Sequence, residues 1–528
     1  MLPSRRTLLA AGAAIPLTLA AGTAGGSGTA YAATGTATLV NGDFEADGTG
    51  TATPAGWTTR NAPGQGNASY TEAGGHSGSY RLTHWSADAY MTETSQEVTG
   101  LANGHYTLTA WVRSSGGQNA AYLALNTRAH PEQRTDLPPT SNGGWVRLVT
   151  SVRVTHHRLT VSVVSDANAG NWINVDDVTL TPGSTAGLAI KGGDISSLAK
   201  SEALGGVYRY SDGRRGDAVK ILASAGMNYA RLKVWVDPAD GYNDKAHVLS
   251  MAKRIKAAGM KLLVDFHYSD AWADPGKQNK PAAWADDTFA QLKADVYNHT
   301  YDVLSALKRQ GTKADMVQIG NEINGGLLWP DGRWDNWPGL AALLTSGAEA
   351  AKAVSRSTQV ALHLANAGDD GGARWFFDNV VSYGVPFDVI GLSYYGYWHG
   401  FLNDLQTTLD DMVARYDKPV FVAETAYAFT LGNDDALENI IDTATELVSG
   451  YPATPAGQAA NLRDVMNVVE AVPNGRGLGI FYWEPAWTAV TGNGWDPADA
   501  SSGNAWENQA LFDYDNKALP AMRWFSHR

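Results

Sequence analysis

The stretch Met316-Val317-Gln318-Ile319-Gly320-Asn321-Glu322 is a short apolar run that stops at a glycine and delivers an asparagine and a glutamate. A second stretch, Pro419-Val420-Phe421-Val422-Ala423-Glu424, follows the same plan and also ends on a carboxylate. Near-continuous apolar runs of this kind mark strands buried on both faces. Six further runs share the pattern, at residues 189–194, 229–235, 261–267, 360–365, 389–395 and 478–484. Helical spacing fills the gaps: Val248, Met251, Ala252 and Ile255 recur at i, i+3, i+4 and i+7, and Gly259 stands where such a helix stops. Other helical patterns cover 217–225, 289–309, 340–353, 406–416 and 458–469. Eight strand–helix units predict a (β/α)8 TIM barrel over residues 188–528. A doubly wound open sheet would need a Gly-rich phosphate loop after its first strand, and Lys191-Gly192-Gly193-Asp194 is not one.

Before the barrel the period changes. Residues 33–182 hold short alternating runs such as Tyr106-Thr107-Leu108-Thr109-Ala110-Trp111-Val112, separated by Gly, Asn and Ser clusters. That pattern predicts an all-β antiparallel sandwich. Thr181-Pro182-Gly183-Ser184-Thr185-Ala186-Gly187 reads as flexible by composition and makes 183–187 the linker between the two modules. Residues 1–32 stand apart. Ser4-Arg5-Arg6-Thr7-Leu8-Leu9 resembles a twin-arginine export motif, an apolar stretch follows, and Ala30-Tyr31-Ala32 offers a cleavage pattern. The expectation is a secreted protein. The apolar stretch is too short and too rich in Gly and Ala for a stable spanning helix, and no other stretch is apolar enough.

Composition narrows the chemistry. The 40 Lys and Arg against 53 Asp and Glu give a net charge of -13, which argues against nucleic acid or an anionic membrane as partner. The chain has no cysteine, which excludes disulfides, thiolate metal sites and a cysteine nucleophile. Its 18 Trp and 22 Tyr suit a protein that stacks flat ligands or sugar rings. Nothing in the chain demands more than a monomer.

In a TIM barrel the active site lies at the carboxyl ends of the strands. Those ends offer Asp194, Arg231, Trp235, Asp265, His267, Asn321, Glu322, Asn366, Tyr394, Tyr395, Glu424, Trp483 and Glu484. Glu322 and Glu424 follow the fourth and seventh strands, which face each other across an eight-strand ring. Two carboxyl groups in one cleft suit glycosidic bond cleavage, in which a protonated one donates to the leaving oxygen and an ionised one attacks the anomeric carbon. Burial and mutual repulsion push their pKa values apart and set the two roles. No catalytic cofactor is needed.

The motifs then narrow the family. Asn321-Glu322 with Glu424 on the seventh strand resembles the large retaining-glycosidase clan. The segment Asp265-Phe266-His267-Tyr268-Ser269-Asp270-Ala271-Trp272-Ala273-Asp274-Pro275-Gly276-Lys277-Gln278 resembles glycoside hydrolase family 53, the endo-β-1,4-galactanases of arabinogalactan breakdown. Arg231-Leu232-Lys233-Val234-Trp235, Leu392-Ser393-Tyr394-Tyr395 and Phe481-Tyr482-Trp483-Glu484-Pro485-Ala486-Trp487 fit the same family. The resemblance implies Glu322 as acid/base, Glu424 as nucleophile, net retention, and galactan or arabinogalactan as substrate. It implies that Asn321 binds the sugar 2-hydroxyl, Arg231 keeps Glu424 ionised, and Tyr394 or Tyr395 steadies the nucleophile. Asp265, His267, Trp272 and Trp483 would form floor and wall. Bacterial members often carry a calcium loop after the seventh strand. Here Asn433, Asp435 and Asn439 fall on three of its places, while Leu437 replaces a histidine.

The two ends of the first module, Asn41-Gly42-Asp43-Phe44-Glu45 and Asn174-Val175-Asp176-Asp177-Val178-Thr179-Leu180, resemble those of jelly-roll carbohydrate-binding modules. Acidic residues there often hold structural calcium, which makes Glu45 and Asp177 the candidate ligands. Trp57, Trp85, Tyr90 and Trp172 are the candidate sugar contacts. Three rivals remain: a mannanase or glucanase of the same clan, a non-catalytic polysaccharide binder, and a metal-dependent hydrolase. Both glutamates being present weighs against the second. His267, His363 and His399 lack the spacing the third needs.

Overall fold

A computed structural model describes residues 38–127 and 129–526; the export segment at 1–32 lies outside them. The first ten strands are β1 (Thr58–Asn61), β2 (Ser69–Ala73), β3 (Tyr80–Trp85), β4 (Tyr90–Thr99), β5 (Gly104–Ser114), β6 (Ala120–Asn126), β7 (Gln133–Asp136), β8 (Val146–Val154), β9 (Arg158–Ala167) and β10 (Trp172–Pro182). They form two five-stranded antiparallel sheets, ordered β1-β4-β9-β6-β7 and β2-β3-β10-β5-β8. The alternation seen in sequence has its usual cause. Leu108, Ala110 and Val112 face a core shared with Leu148, Val161 and Val175, while the residues between them face outward.

The next body is a closed parallel barrel of eight strands, in order Ile190–Asp194, Tyr229–Val234, Lys261–Phe266, Met316–Ile319, Gln359–Leu364, Val389–Ser393, Val420–Thr425 and Gly477–Tyr482. Every run expected from sequence is one of these strands. The helices Ala218–Ser224, Lys245–Ala257, Phe289–Arg309, Trp337–Val354, Leu402–Tyr416 and Pro455–Glu470 occupy the expected gaps. Leu198–Ala203 and Asp370–Ser382 are helical in addition. Local signals set the ends: Thr288 and Gln291 form a reciprocal capping box at the start of Phe289–Arg309.

Strand alternation explains where the site lies. The inward positions nearest the amino ends are apolar: Ile190, Tyr229, Leu263, Met316, Ala361, Val389, Phe421 and Phe481 pack into one plug. Two residues further on, the same face carries Arg231, Asp265, Gln318 and His363, all buried. The apolar layer seals the barrel from below, and a polar layer sits on it under the carboxyl-end opening.

The sandwich and barrel are joined by polar contacts of the β8 edge. Arg147 donates to Asp410 at 2.8 and 2.9 Å and to the Ala471 carbonyl at 2.7 and 3.0 Å. Asn142 donates to Asn403 at 2.9 Å. The segment that composition marks as flexible is pinned here: the Thr185 backbone donates to Ser151 and its hydroxyl to Glu470, both at 2.9 Å. Among the described residues no helix is long and apolar enough to cross a membrane.

Candidate active site

A cavity of about 500 Å³ opens at the carboxyl ends of the barrel strands. Glu322 and Glu424 both line it, with Asp194, Arg231, His267, Asn321, Tyr395 and a set of tryptophans. Two different backbone devices deliver the carboxylates. After the fourth strand, Gly320 takes φ 84° and Glu322 itself takes φ 47° and ψ 53°, the left-handed region that costs a non-glycine residue about 1 kcal/mol or more. That turn swings Glu322 away from the strand axis and into the cavity. On the seventh strand a bulge does the work. Leu392 pairs with Val422, but Ser393 pairs with Glu424, so an extra residue is inserted at Ala423. Strict alternation from Phe421 would turn Glu424 outward; the bulge re-aims it inward.

A carboxylate oxygen of Glu322, one of Glu424 and a ring nitrogen of His363 lie within 4.8 Å of one another. The surroundings of the two carboxylates differ. Glu424 receives Arg231 Nη1 at 2.9 Å and the Tyr395 hydroxyl at 3.0 Å. Glu322 receives the Ser393 hydroxyl at 2.6 Å. Burial pushes both carboxyls above the usual carboxylate range. Arg231 is the main influence holding Glu424 down, and the Ser393 hydroxyl is the main one on Glu322. Two carboxylates this close, one buried and one half-buried, resist being ionised together. The guanidinium and the phenol both act on Glu424 and favour its ionised form.

Arg231 organises more than Glu424. It reaches Asp194, Asp265 and Asn321, each at 2.8 Å, and is 1% exposed. Asn321 accepts that bond on Oδ1 and spends one Nδ2 hydrogen on the Ala273 carbonyl at 2.8 Å, leaving the other available to a ligand. His267 accepts from Trp235 Nε1 and from the Ala273 backbone on Nδ1, both at 3.2 Å, so its hydrogen sits on Nε2 and is donated to Asp265 at 3.0 Å.

The pair of tyrosines left open by sequence separates here: the Tyr395 hydroxyl meets Glu424, while the Tyr394 hydroxyl donates to the Gly400 carbonyl at 3.1 Å. Trp272 and Trp483 stand edge to face at 5.9 Å, and Trp506 meets Trp483 at 4.7 Å. Glu484 is not open to the cavity. It is buried against Lys233 at 3.1 Å and the Ser197 backbone at 2.9 Å. Asn366 uses its side chain to hold the Gly368 backbone at 3.3 Å. Sequence reasoning missed Lys233, Trp398, Trp487 and Trp506, all lining the cavity. Lys233 was detectable, since it shares the inward face with Arg231. The tryptophans sit in loops that carry no period.

The trio of Glu322, His363 and Glu424 does not suit a metal. Arg231 places a positive charge 2.9 Å from Glu424, and both His363 nitrogens are engaged, Nε2 with Ser393 at 2.8 Å and Nδ1 with Gln318 at 2.8 Å. The calcium candidates are likewise joined to protein donors. Glu45 accepts from the backbones of Ser79 and Tyr80, and Asp177 meets His76 and Ser77, all at 2.6 Å. In the later loop, Asn439 donates to Asn433 at 2.7 Å, and Asp435 accepts from the backbones of Leu437 and Asn504, each at 2.7 Å. Glu507 beside it accepts from the backbones of Asp434 and Asp435 on Oε1 and has an unpartnered Oε2.

In the sandwich, Trp85 and Trp172 are directly opposed on β3 and β10 and flank a cleft of about 430 Å³. Its other lining groups include Glu72, Arg81, Arg113 and Asn174. Trp57 and Tyr90 lie elsewhere: Trp57 packs on Phe44 at 5.4 Å and Tyr90 is 3% exposed, so both are core.

The model of glycosyl hydrolase family 53 matches residues 190–525. An endo-beta-1,4-galactanase of Bacillus subtilis is 37% identical over 372 residues, covering 64% of this chain and 85% of that protein. An arabinogalactan endo-beta-1,4-galactanase of Thermothelomyces thermophilus is 35% identical over 346 residues, covering 64% of this chain and 99% of that one. Among solved structures, the Ignisphaera aggregans GH53 catalytic domain is 40% identical with a TM-score of 0.62, over 65% of this chain and 98% of its own.

Proposed function

The chain belongs to glycosyl hydrolase family 53, and on that premise we propose that it is a secreted endo-β-1,4-galactanase that cleaves galactan and arabinogalactan with net retention. Glu424 attacks the anomeric carbon while Glu322 gives its proton to the departing sugar oxygen. Glu322 then takes a proton from the water that releases the covalent glycosyl–enzyme. Arg231 and Tyr395 keep Glu424 a carboxylate in a buried site. The free Nδ2 hydrogen of Asn321 suits the sugar 2-hydroxyl, a bond that tightens as the ring approaches the oxocarbenium-like transition state. Trp272, Trp483 and Trp506 supply apolar walls for sugar faces.

The observation that carries the retaining assignment is the carboxylate separation, within 4.8 Å between facing oxygens. Retaining enzymes hold the two carboxyl groups about 5 to 5.5 Å apart, whereas inverting ones leave roughly 6.5 to 9.5 Å for a water. Support for galactan comes from the names of the relatives. The sandwich we read as a second carbohydrate-binding face, centred on Trp85 and Trp172.

Incubation with galactan, mannan and cellulose, with the soluble products sized, tests the substrate: release of oligosaccharides from galactan alone is expected, and release from mannan or cellulose instead would overturn it. Glu424→Ala should be inert until azide is added, and should then give a glycosyl azide of inverted configuration from an activated galactoside. An azide product of retained configuration would place the attack on Glu322. Protein recovered from the culture medium, starting near Ala33, is the result expected of export.

A further inference from the structure

Behind Glu322, the fourth, fifth and sixth barrel strands contribute Gln318, His363 and Ser393, three fully buried polar side chains that the reaction above does not use. Each contact between them has one workable polarity. Asp265 accepts from Arg231, so the Gln318 group 2.7 Å from its Oδ1 is the NH2. The other hydrogen of that NH2 faces His363 Nδ1 at 2.8 Å, and the Glu322 backbone N–H reaches the same nitrogen at 3.3 Å. Asn321 Oδ1 is also 3.1 Å away, but a hydrogen placed on Nδ1 for it would meet the Gln318 and Glu322 hydrogens head on. Two donors on Nδ1 make it the bare nitrogen. Burial pushes the imidazole well below its ordinary pKa, so the ring is neutral and its one hydrogen is on Nε2. Nε2 then donates to Ser393 Oγ at 2.8 Å, which leaves the Ser393 hydroxyl to donate to Glu322 Oε1 at 2.6 Å.

We propose that Gln318, His363 and Ser393 form a one-way positioning relay for Glu322, keeping a donor on Oε1 so that the catalytic proton is carried on Oε2. The inference rests on Glu322 being the acid/base. No proton travels along the relay. It fixes which oxygen holds the proton that goes to the departing sugar oxygen, and it stabilises the carboxylate left behind. The other charged groups around Glu322 are Arg231 on the second strand, Asp265 on the third, Asp274 in the loop that follows, and Glu424 on the seventh. Among the influences that favour the ionised form, the Ser393 bond is the largest and Arg231 the next.

The test is the pH profile of kcat/KM for Ser393→Ala and His363→Phe, with Glu322→Ala in parallel. Removing a donor from a carboxylate raises its pKa, so Ser393→Ala should move the basic limb up by about one pH unit. It should also slow galactan more than an aryl galactoside with a good leaving group. His363→Phe keeps the Ser393 hydroxyl but frees its direction, and should give the same shift, smaller. The ring ¹⁵N spectrum of the wild type, assigned by the signal lost in His363→Phe, should show a hydrogen on Nε2 only. A basic limb that stays put in both variants, or a hydrogen on Nδ1, would overturn the relay. Equal loss of both substrates in Glu322→Ala would instead refute the acid/base reading itself, so the two failures are distinguishable.

Discussion

Arg231 Nη1 meets the Glu424 carboxylate at 2.9 Å with the guanidinium 1% exposed and the carboxylate 8%. A guanidinium is suited to this place because it stays charged when buried and offers several donors in a fixed fork. Here that fork joins Asp194, Asp265, Asn321 and Glu424. The pair is therefore a means of keeping one carboxylate ionised where burial favours the acid.

Arg231→Lys keeps the charge and loses the fork. One ammonium cannot reach all four partners, so buried carboxylates are left uncompensated, at a cost of about 3 kcal/mol in stability. With less positive charge near Glu424 its carboxyl rises further, which moves the acid limb of kcat/KM upward and lowers its maximum by about 100-fold. Urea unfolding and a pH–rate profile measure the two effects. A normal acid limb would show that Glu424 does not depend on Arg231 for its charge.

Tyr395→Phe isolates the second support of Glu424. Burial and the neighbouring carboxylate push the phenol well above its ordinary pKa, so it remains a donor throughout the working range. A hydrogen bond to a charged group contributes about 1.5 to 3 kcal/mol, which corresponds to roughly 10- to 100-fold in kcat. The acid limb should again move up, while Tyr394→Phe, whose hydroxyl only holds the Gly400 carbonyl, should leave the acid limb in place. Reversed results would exchange the two tyrosines.

What was legible in the sequence follows from which forces are local. Eight buried strands announce themselves because a strand covered on both faces must be apolar along its length. The helix Asp370–Ser382 was not expected, although Ala373, Phe376, Phe377 and Val380 stand at helical spacing, because Gly371 and Gly372 at its start look like a loop. Leu198–Ala203 is too short to show a period. Glu424 was found by its place at a strand end. Counting alternate residues would have turned it outward, and the bulge that corrects this arises from pairing with a neighbouring strand. The contact between His363 and Ser393 carries no local mark, since it exists only because strands five and six lie side by side.

The joint between the two modules predicts a shared unfolding. Arg147 on β8 donates to both oxygens of Asp410 and to the Ala471 carbonyl, with its side chain 15% exposed. Arg147→Ala leaves Asp410, whose pKa burial already raises, without its counter-charge. The loss should be about 2 kcal/mol, and calorimetry should resolve two thermal transitions in the variant and a single one in the intact chain. A single unshifted transition would mean that the joint contributes no coupling.

The sandwich cleft gives the remaining prediction. Trp85 and Trp172 are paired across neighbouring strands, and Arg113 sits 5.8 Å above the Trp172 ring and 4.7 Å from that of Trp145 while donating to Asn174 at 2.9 Å. A rigid floor of this kind holds two aromatic faces at fixed spacing, which lowers the entropy lost when a sugar chain settles on them. Each face should contribute about 1 kcal/mol, so removing both weakens binding by roughly 30-fold. The full chain carrying Glu424→Ala, which cannot digest the polymer, should be retarded by galactan in a native gel. Adding Trp85→Ala and Trp172→Ala should reduce that retardation to what the barrel cavity alone provides. Unchanged mobility on adding the two substitutions would remove the cleft from sugar binding and leave the sandwich a purely structural partner of the barrel.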